Sequence, residues 1–197
     1  MGQIQPPISD KTSRFGYVAL GSNLASATRT SLEAVTEALR LFSGESIRII
    51  QQSQWCSAPA FPKGNGPDYV NGVVEIETSL EAKETLAALH RIEAKLGRAR
   101  TTRWASRVVD LDLLALGDIV APDQEEYRRW QKLPLDAQIA ETPDGLVLPH
   151  PRLQDRAFVL VPLAEIAPAW RHPVLGQTAD EFLAALPEAA RDEILPL

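Results

Sequence analysis

The chain has 197 residues, 45% of them hydrophobic, with a formal charge of −6 and a pI near 5.1. That length favours one domain with a substantial core, and the acidic balance excludes a surface devoted to nucleic acid or anionic lipid, which needs a net basic footprint. A single cysteine, Cys56, excludes an intrachain disulfide, and no apolar run reaches the length of a signal-peptide core or a membrane span.

The first 15 residues, with Pro6-Pro7 and several polar side chains, read as a disordered tail ahead of one domain over 16–197. Tyr17-Val18-Ala19-Leu20 is a β-prone run closed by Gly21-Ser22-Asn23, which suits a turn from strand into helix. Leu32, Val35, Leu39 and Phe42 recur at three- and four-residue spacing, which predicts an amphipathic helix over 27–42 with Gly44 as its stop. A strand is expected over 47–55. The stretch from Ala58 to Pro67 holds too much proline and glycine for a regular element. Asn71 to Thr78 reads as a strand, 79–96 as a second helix before Gly97, and the apolar run Val108 to Leu116 as a buried strand. The order βαββαβ predicts an α+β, ferredoxin-like core, an antiparallel sheet with both helices on one face. An insertion over 118–145, in which only Tyr127 to Trp130 suggests a short helix, and a C-terminal helical extension complete the expected domain.

Asp110 and Asp112 alternate in a run otherwise made of Val, Leu and Ala, so a strand there projects both carboxylates from one face. Magnesium favours one or two carboxylates together with phosphate oxygens and water. Upstream, Arg98, Arg100, Arg103 and Arg107 concentrate guanidinium charge in an acidic protein, and Arg grips phosphate oxygens bidentately. Trp104 among them is a large ring suited to covering a ligand. Tyr69 and Asn71 can stack on and hydrogen-bond a flat heterocycle, and Pro149-His150-Pro151 precedes a helix containing Phe158, with Arg156 close by. A palm-type nucleotidyl transferase shares an Asp-x-Asp pair but wants a third carboxylate on a neighbouring strand. An RNA-binding module shares the element order but wants strand aromatics and a basic sheet face.

These motifs follow one another in a fixed order: Tyr17 to Leu24, Pro67-Asp-Tyr-Val-Asn71, Arg91-Ile-Glu93, Arg98-x-Arg100 through Arg103-Trp104 and Arg107 to Asp110-Leu-Asp112, and Pro149-His150-Pro to Arg156-Ala-Phe158. In that series the chain resembles the 6-hydroxymethyl-7,8-dihydropterin pyrophosphokinase family of folate biosynthesis. The resemblance implies pyrophosphate transfer from ATP, the co-substrate, to 6-hydroxymethyl-7,8-dihydropterin by a cytoplasmic monomer that engages neither nucleic acid nor membrane. It implies two Mg2+ ions on Asp110 and Asp112, with Arg98 and Arg107 joining them in catalysis. It places Arg98, Arg100, Trp104, Arg107, His150 and Arg156 on ATP, and Ala58, Phe61, Tyr69, Asn71 and Phe158 around the pterin. It also brings His90 and Glu93 near the nucleotide or leaves them as structural helix residues. Relatives usually carry Gly-Pro where this chain has Ala105-Ser106, and threonine at Ala58.

Overall fold

A computed structural model of the chain describes residues 13–23, 30–60, 66–97, 108–134, 137 and 141–197. The elements run β1 (Arg14–Ser22), α1 (Ser31–Leu41), β2 (Ile47–Gln52), β3 (Cys56–Ala58), β4 (Tyr69–Thr78), α2 (Ala82–Lys95) and β5 (Asp110–Leu116). They continue with α3 (Gln124–Lys132), α4 (Ala157–Ile166), α5 (Ala179–Ala185), α6 (Glu188–Asp192) and β6 (Leu195–Pro196). The strands pair antiparallel in the order β5-β1-β4-β3-β6, and β2 and β3 share one edge of β4, at Val74 to Thr78 and Tyr69 to Asn71 respectively. The expected ferredoxin-like architecture is present.

Alternation along β1 divides the molecule into layers. Val18 and Leu20, with Val74, Ile76, Leu111 and Leu113, belong to the core packed on α1 and α2 through Val35, Ala38, Leu89 and Ile92. Tyr17 and Ala19, with Val73 and Leu114, belong to a second cluster built on α4 and α5 through Val159, Leu160, Leu163 and Phe182. The C-terminal extension therefore covers the face that the two core helices leave open.

Local chemistry accounts for the boundaries, and several differ from the sequence expectation. β1 begins at Arg14, two residues before the expected domain start, because Arg14 pairs with Thr78 in the ladder and bonds Glu81 at 2.9 Å. The earlier part of the expected tail, 1–12, lies outside the described residues. Helix α1 starts on a capping box in which the Thr30 side chain accepts from Glu33 N–H and the Glu33 carboxylate accepts from Thr30 N–H. It runs into a 3-10 turn, Phe42–Glu45, and the left-handed residue that follows is Ser46 at φ 60°, so Gly44 is not the stop. The strand expected over 47–55 stops at Gln52, and a second short strand, β3, begins beyond it at Cys56. Ser53 N–H donates to Val73 O and Ser53 Oγ accepts from Val73 N–H, both at 3.0 Å, after which the Trp55 ring settles on Gly72. A Cβ at Gly72 would approach that ring to 2.6 Å, so only glycine admits the indole and lets the chain turn there.

Residues 118–134 carry α3, whose Tyr127 and Trp130 are buried with Val147 against Val174 and Leu175. Tyr127 Oη meets Nε2 of the fully buried His172 at 2.9 Å. His172 Nδ1 accepts from the N–H groups of Val174 and Leu175 at 3.1 and 3.2 Å, so the ring is neutral, carries its proton on Nε2 and donates it to Tyr127. Burial pushes the His172 pKa down to about 4. The unfolded chain therefore takes up this proton below about pH 6.5 while the folded chain refuses it. This group alone is expected to cost up to about 3 kcal/mol of stability between pH 6.5 and 4, from roughly 1.4 kcal/mol per pH unit. Urea titrations across that window check this, and His172→Phe should flatten the upper part of the profile.

Candidate active site

Strand register brings the site together before any side-chain contact is considered. Cys56 lies opposite Asn71, Asn71 opposite Gly21 and Gly21 opposite Asp110, one row running across β3, β4, β1 and β5. Val73, Ala19 and Asp112 form the next row on one side, and Ala58 with Tyr69 flanks it on the other. Paired residues in antiparallel strands share a face, so Ala58, Tyr69, Asn71, Asp110 and Asp112 all project toward the α4 side of the sheet. Gly21 and Ser22 are the last residues of β1 and do not form the turn expected from the sequence. A Cβ at Gly21 would sit 3.2 Å from Asn71 Oδ1 and 4.0 Å from the Tyr69 ring, so glycine keeps the space between Asn71 and Asp110 open. Ser22 Oγ donates to Val108 O at 2.6 Å and ties the end of β1 to the approach to β5.

The start of α4 supplies the other wall. Arg156, its N-cap, places Nη1 3.5 Å from Asp112 Oδ2, with both side chains about one-third exposed. The same guanidinium carbon lies 5.7 Å from the centre of the Phe158 ring, which is 38% exposed despite its size. His150 follows by backbone anchoring, its N–H donating to Leu114 O at 2.8 Å, and its Nδ1 accepts from Arg152 N–H at 3.1 Å. Burial, reinforced by Arg156, pushes the His150 pKa down to about 3 against the opposing charge of Asp110. The imidazole is thus neutral at pH 7, with its proton on Nε2.

Glu93 approaches from the opposite layer. It is 1% exposed, and Oε1 accepts from Leu111 N–H at 3.0 Å, a bond from α2 to the β5 backbone between the two aspartates. His90 lies half-buried on the same helix. Cys56 is 6% exposed and burial raises its thiol pKa to about 11, so it is a protonated packing residue at neutral pH.

The donor set suits magnesium. Two carboxylates alternate on one face, and hard oxygen donors leave most coordination positions for phosphate and water. Among the described residues no group of three or more His, Cys, Asp or Glu side chains could hold a metal, so no closed protein cage is offered there. Of the residues singled out in the sequence, the structure brings together Ala58, Tyr69, Asn71, Asp110, Asp112, His150, Arg156 and Phe158. Phe61, Arg98, Arg100, Trp104 and Arg107 lie outside the described residues. Gly21 and Ser22 were missed as site-forming positions, although their adjacency to the first strand was the available signal.

A ferredoxin-like sheet that sets an acid pair beside a guanidinium suits a transferase acting on phosphate-bearing substrates. The family model described as 7,8-dihydro-6-hydroxymethylpterin-pyrophosphokinase matches residues 17–168, and the chain belongs to that family. It is 36% identical over 183 residues to 2-amino-4-hydroxy-6-hydroxymethyldihydropteridine pyrophosphokinase of Synechocystis sp., covering 93% of this chain and 82% of the relative. It is 37% identical to the Pseudomonas aeruginosa protein of the same name, covering 87% and 91%. The fold is similar to solved wild-type Plasmodium falciparum HPPK-DHPS with STZ-DHP, with a TM-score of 0.64 and 15% identity. That match covers 90% of this chain but only 44% of the longer Plasmodium chain.

Proposed function

We propose that the chain transfers the terminal pyrophosphoryl group of ATP to the hydroxymethyl arm of 6-hydroxymethyl-7,8-dihydropterin, releasing AMP and the dihydropterin diphosphate in folate synthesis. The observation that carries this reading is the row Asn71–Gly21–Asp110, which sets a hydrogen-bonding amide and an acid on one face with no side chain between them.

In this reading Asn71 bonds the edge of the pterin, Tyr69 and Phe158 sandwich its ring, and Ala58 and Phe61 line the slot. Asp110 and Asp112 would hold two magnesium ions, which would supply charge neutralisation for the polyphosphate and a lowered pKa for the attacking hydroxyl. Arg156 neutralises Asp112 in the absence of nucleotide and turns to phosphate oxygens when they are present. The neutral His150 offers its Nε2–H to the nucleotide. Arg98 and Arg107 contact the phosphates and stabilise the charge that develops on transfer, and Arg100 and Trp104 close over the bound substrates. Glu93 holds β5 in place from behind through Leu111 N–H. The hydroxyl, placed in line by these groups and not by a side-chain base, would give its proton to water as it attacks.

The chain acts as a cytoplasmic monomer on small molecules alone, as one domain from β1 to the last residue with 118–145 an insertion upon it. No helix among the described residues is long and apolar enough to cross a membrane. The test follows AMP formation from ATP and magnesium with and without 6-hydroxymethyl-7,8-dihydropterin. Pterin-dependent AMP supports the reading; ADP, or pyrophosphate released without pterin, overturns it.

A further inference from the structure

The C-terminal strand lies against the strand that forms one side of the proposed pterin slot. β6 pairs antiparallel with β3, Pro196 opposite Cys56 and Leu195 opposite Ser57, and Leu197 N–H donates to Trp55 O at 3.0 Å. Hydrogen-bonded pairs alternate along an antiparallel ladder. Trp55–Leu197 and Ser57–Leu195 are therefore of the bonded kind, and Pro196, which lacks an N–H, falls where none is required.

β3 has only 3 residues, at the short end of the usual strand range, so few ladder bonds fix it. Its inner edge is fixed by β4, and the approach to it by Glu165 of α4, whose carboxylate accepts from Gln54 N–H at 3.0 and 3.1 Å. Its outer edge is held by β6. The side chains this strand turns inward, Cys56 and Ala58, are 6% and 4% exposed and share rows with Asn71 and Tyr69. A small tilt of β3 thus moves Ala58 relative to Tyr69. The residues that make this edge lie beyond 168, where the family match ends.

We propose that β6 is a positioning element for the pterin subsite, fixing β3 and thereby the width of the slot between Ala58, Tyr69 and Phe158. The inference rests on the pterin reading above.

Leu195→Pro and Leu197→Pro remove the ladder N–H groups, whereas Leu195→Ala and Leu197→Ala retain them. With the full chain, the proline variants are expected to raise the KM for 6-hydroxymethyl-7,8-dihydropterin about five- to tenfold, the scale of one lost hydrogen bond. The KM for ATP should stay within about twofold, and the alanine variants should resemble wild type. Proline variants with an unchanged pterin KM would overturn the proposal. So would a parallel loss toward both substrates accompanied by a lower Tm, which marks general destabilisation. Wild-type protein that fails to bind the pterin, followed directly by ligand fluorescence, overturns the functional reading itself and this inference with it.

Discussion

Asp112→Ala is expected to lower kcat for pterin-dependent AMP formation by at least about 10³-fold, roughly 4 kcal/mol of lost transition-state stabilisation. The size follows from position. Asp112 is one of two carboxylates on the site face of β5, and its partner in the structure is Arg156, itself a phosphate candidate. Removing the acid takes away a proposed cation ligand and leaves Arg156 without its counter-charge. The fold should survive, because an ion pair at 3.5 Å between side chains about one-third exposed contributes little to stability. Steady-state kinetics beside a thermal melt separate the two effects. A Tm within a few degrees of wild type with activity gone supports the assignment, and near-normal activity in a folded variant refutes it.

Asn71→Ala is expected to act on the other substrate. Asn71 is 5% exposed, stands opposite Gly21, and holds Nδ2 3.5 Å from Tyr69 O, a long contact that leaves its amide capacity for a ligand. Loss of an amide that pairs with the heterocycle should cut kcat/KM for the pterin by about 10²-fold, because the ring edge is then buried without a partner. The KM for ATP should be unchanged, since Asn71 itself is assigned to the pterin and not to the nucleotide. Equal losses toward both substrates would instead make Asn71 a sheet-packing residue.

Much of this was legible in residue pattern alone. The alternation of Asp110 and Asp112 within an apolar run needed only a strand to become a shared face, and the strand is there. Helix α2 ended before Gly97 as read, and Gly97 adopts a left-handed φ of 98°. What stayed hidden depended on distant parts of the chain. The break between β2 and β3 follows from Trp55 finding the bare backbone of Gly72, a contact with no local signature. β6 is 2 residues long, contains a proline and pairs with a strand far back in the sequence, so neither periodicity nor propensity announces it. The Asp112–Arg156 pair and the Tyr127–His172 hydrogen bond likewise join segments whose proximity only the folded topology creates. The unseen features were long-range pairings, whereas the correctly read ones were carried by neighbours along one element.

The transverse row through Asn71, Gly21 and Asp110 also works as a ruler. Two interstrand steps separate the amide from the first acid, and each step is about 4.8 Å of backbone hydrogen-bond geometry that side-chain substitution leaves almost untouched. The interval between the amide proposed to recognise the ring and the acid proposed for the phosphate chemistry is therefore roughly 10 Å, graduated by the ladder itself. Only a register slip could change it, and a slip of one residue would turn every one of these side chains to the opposite face. If the proposed site holds, discrimination against substrates with a longer or shorter arm is set by the sheet and is expected to persist through changes in the surrounding side chains.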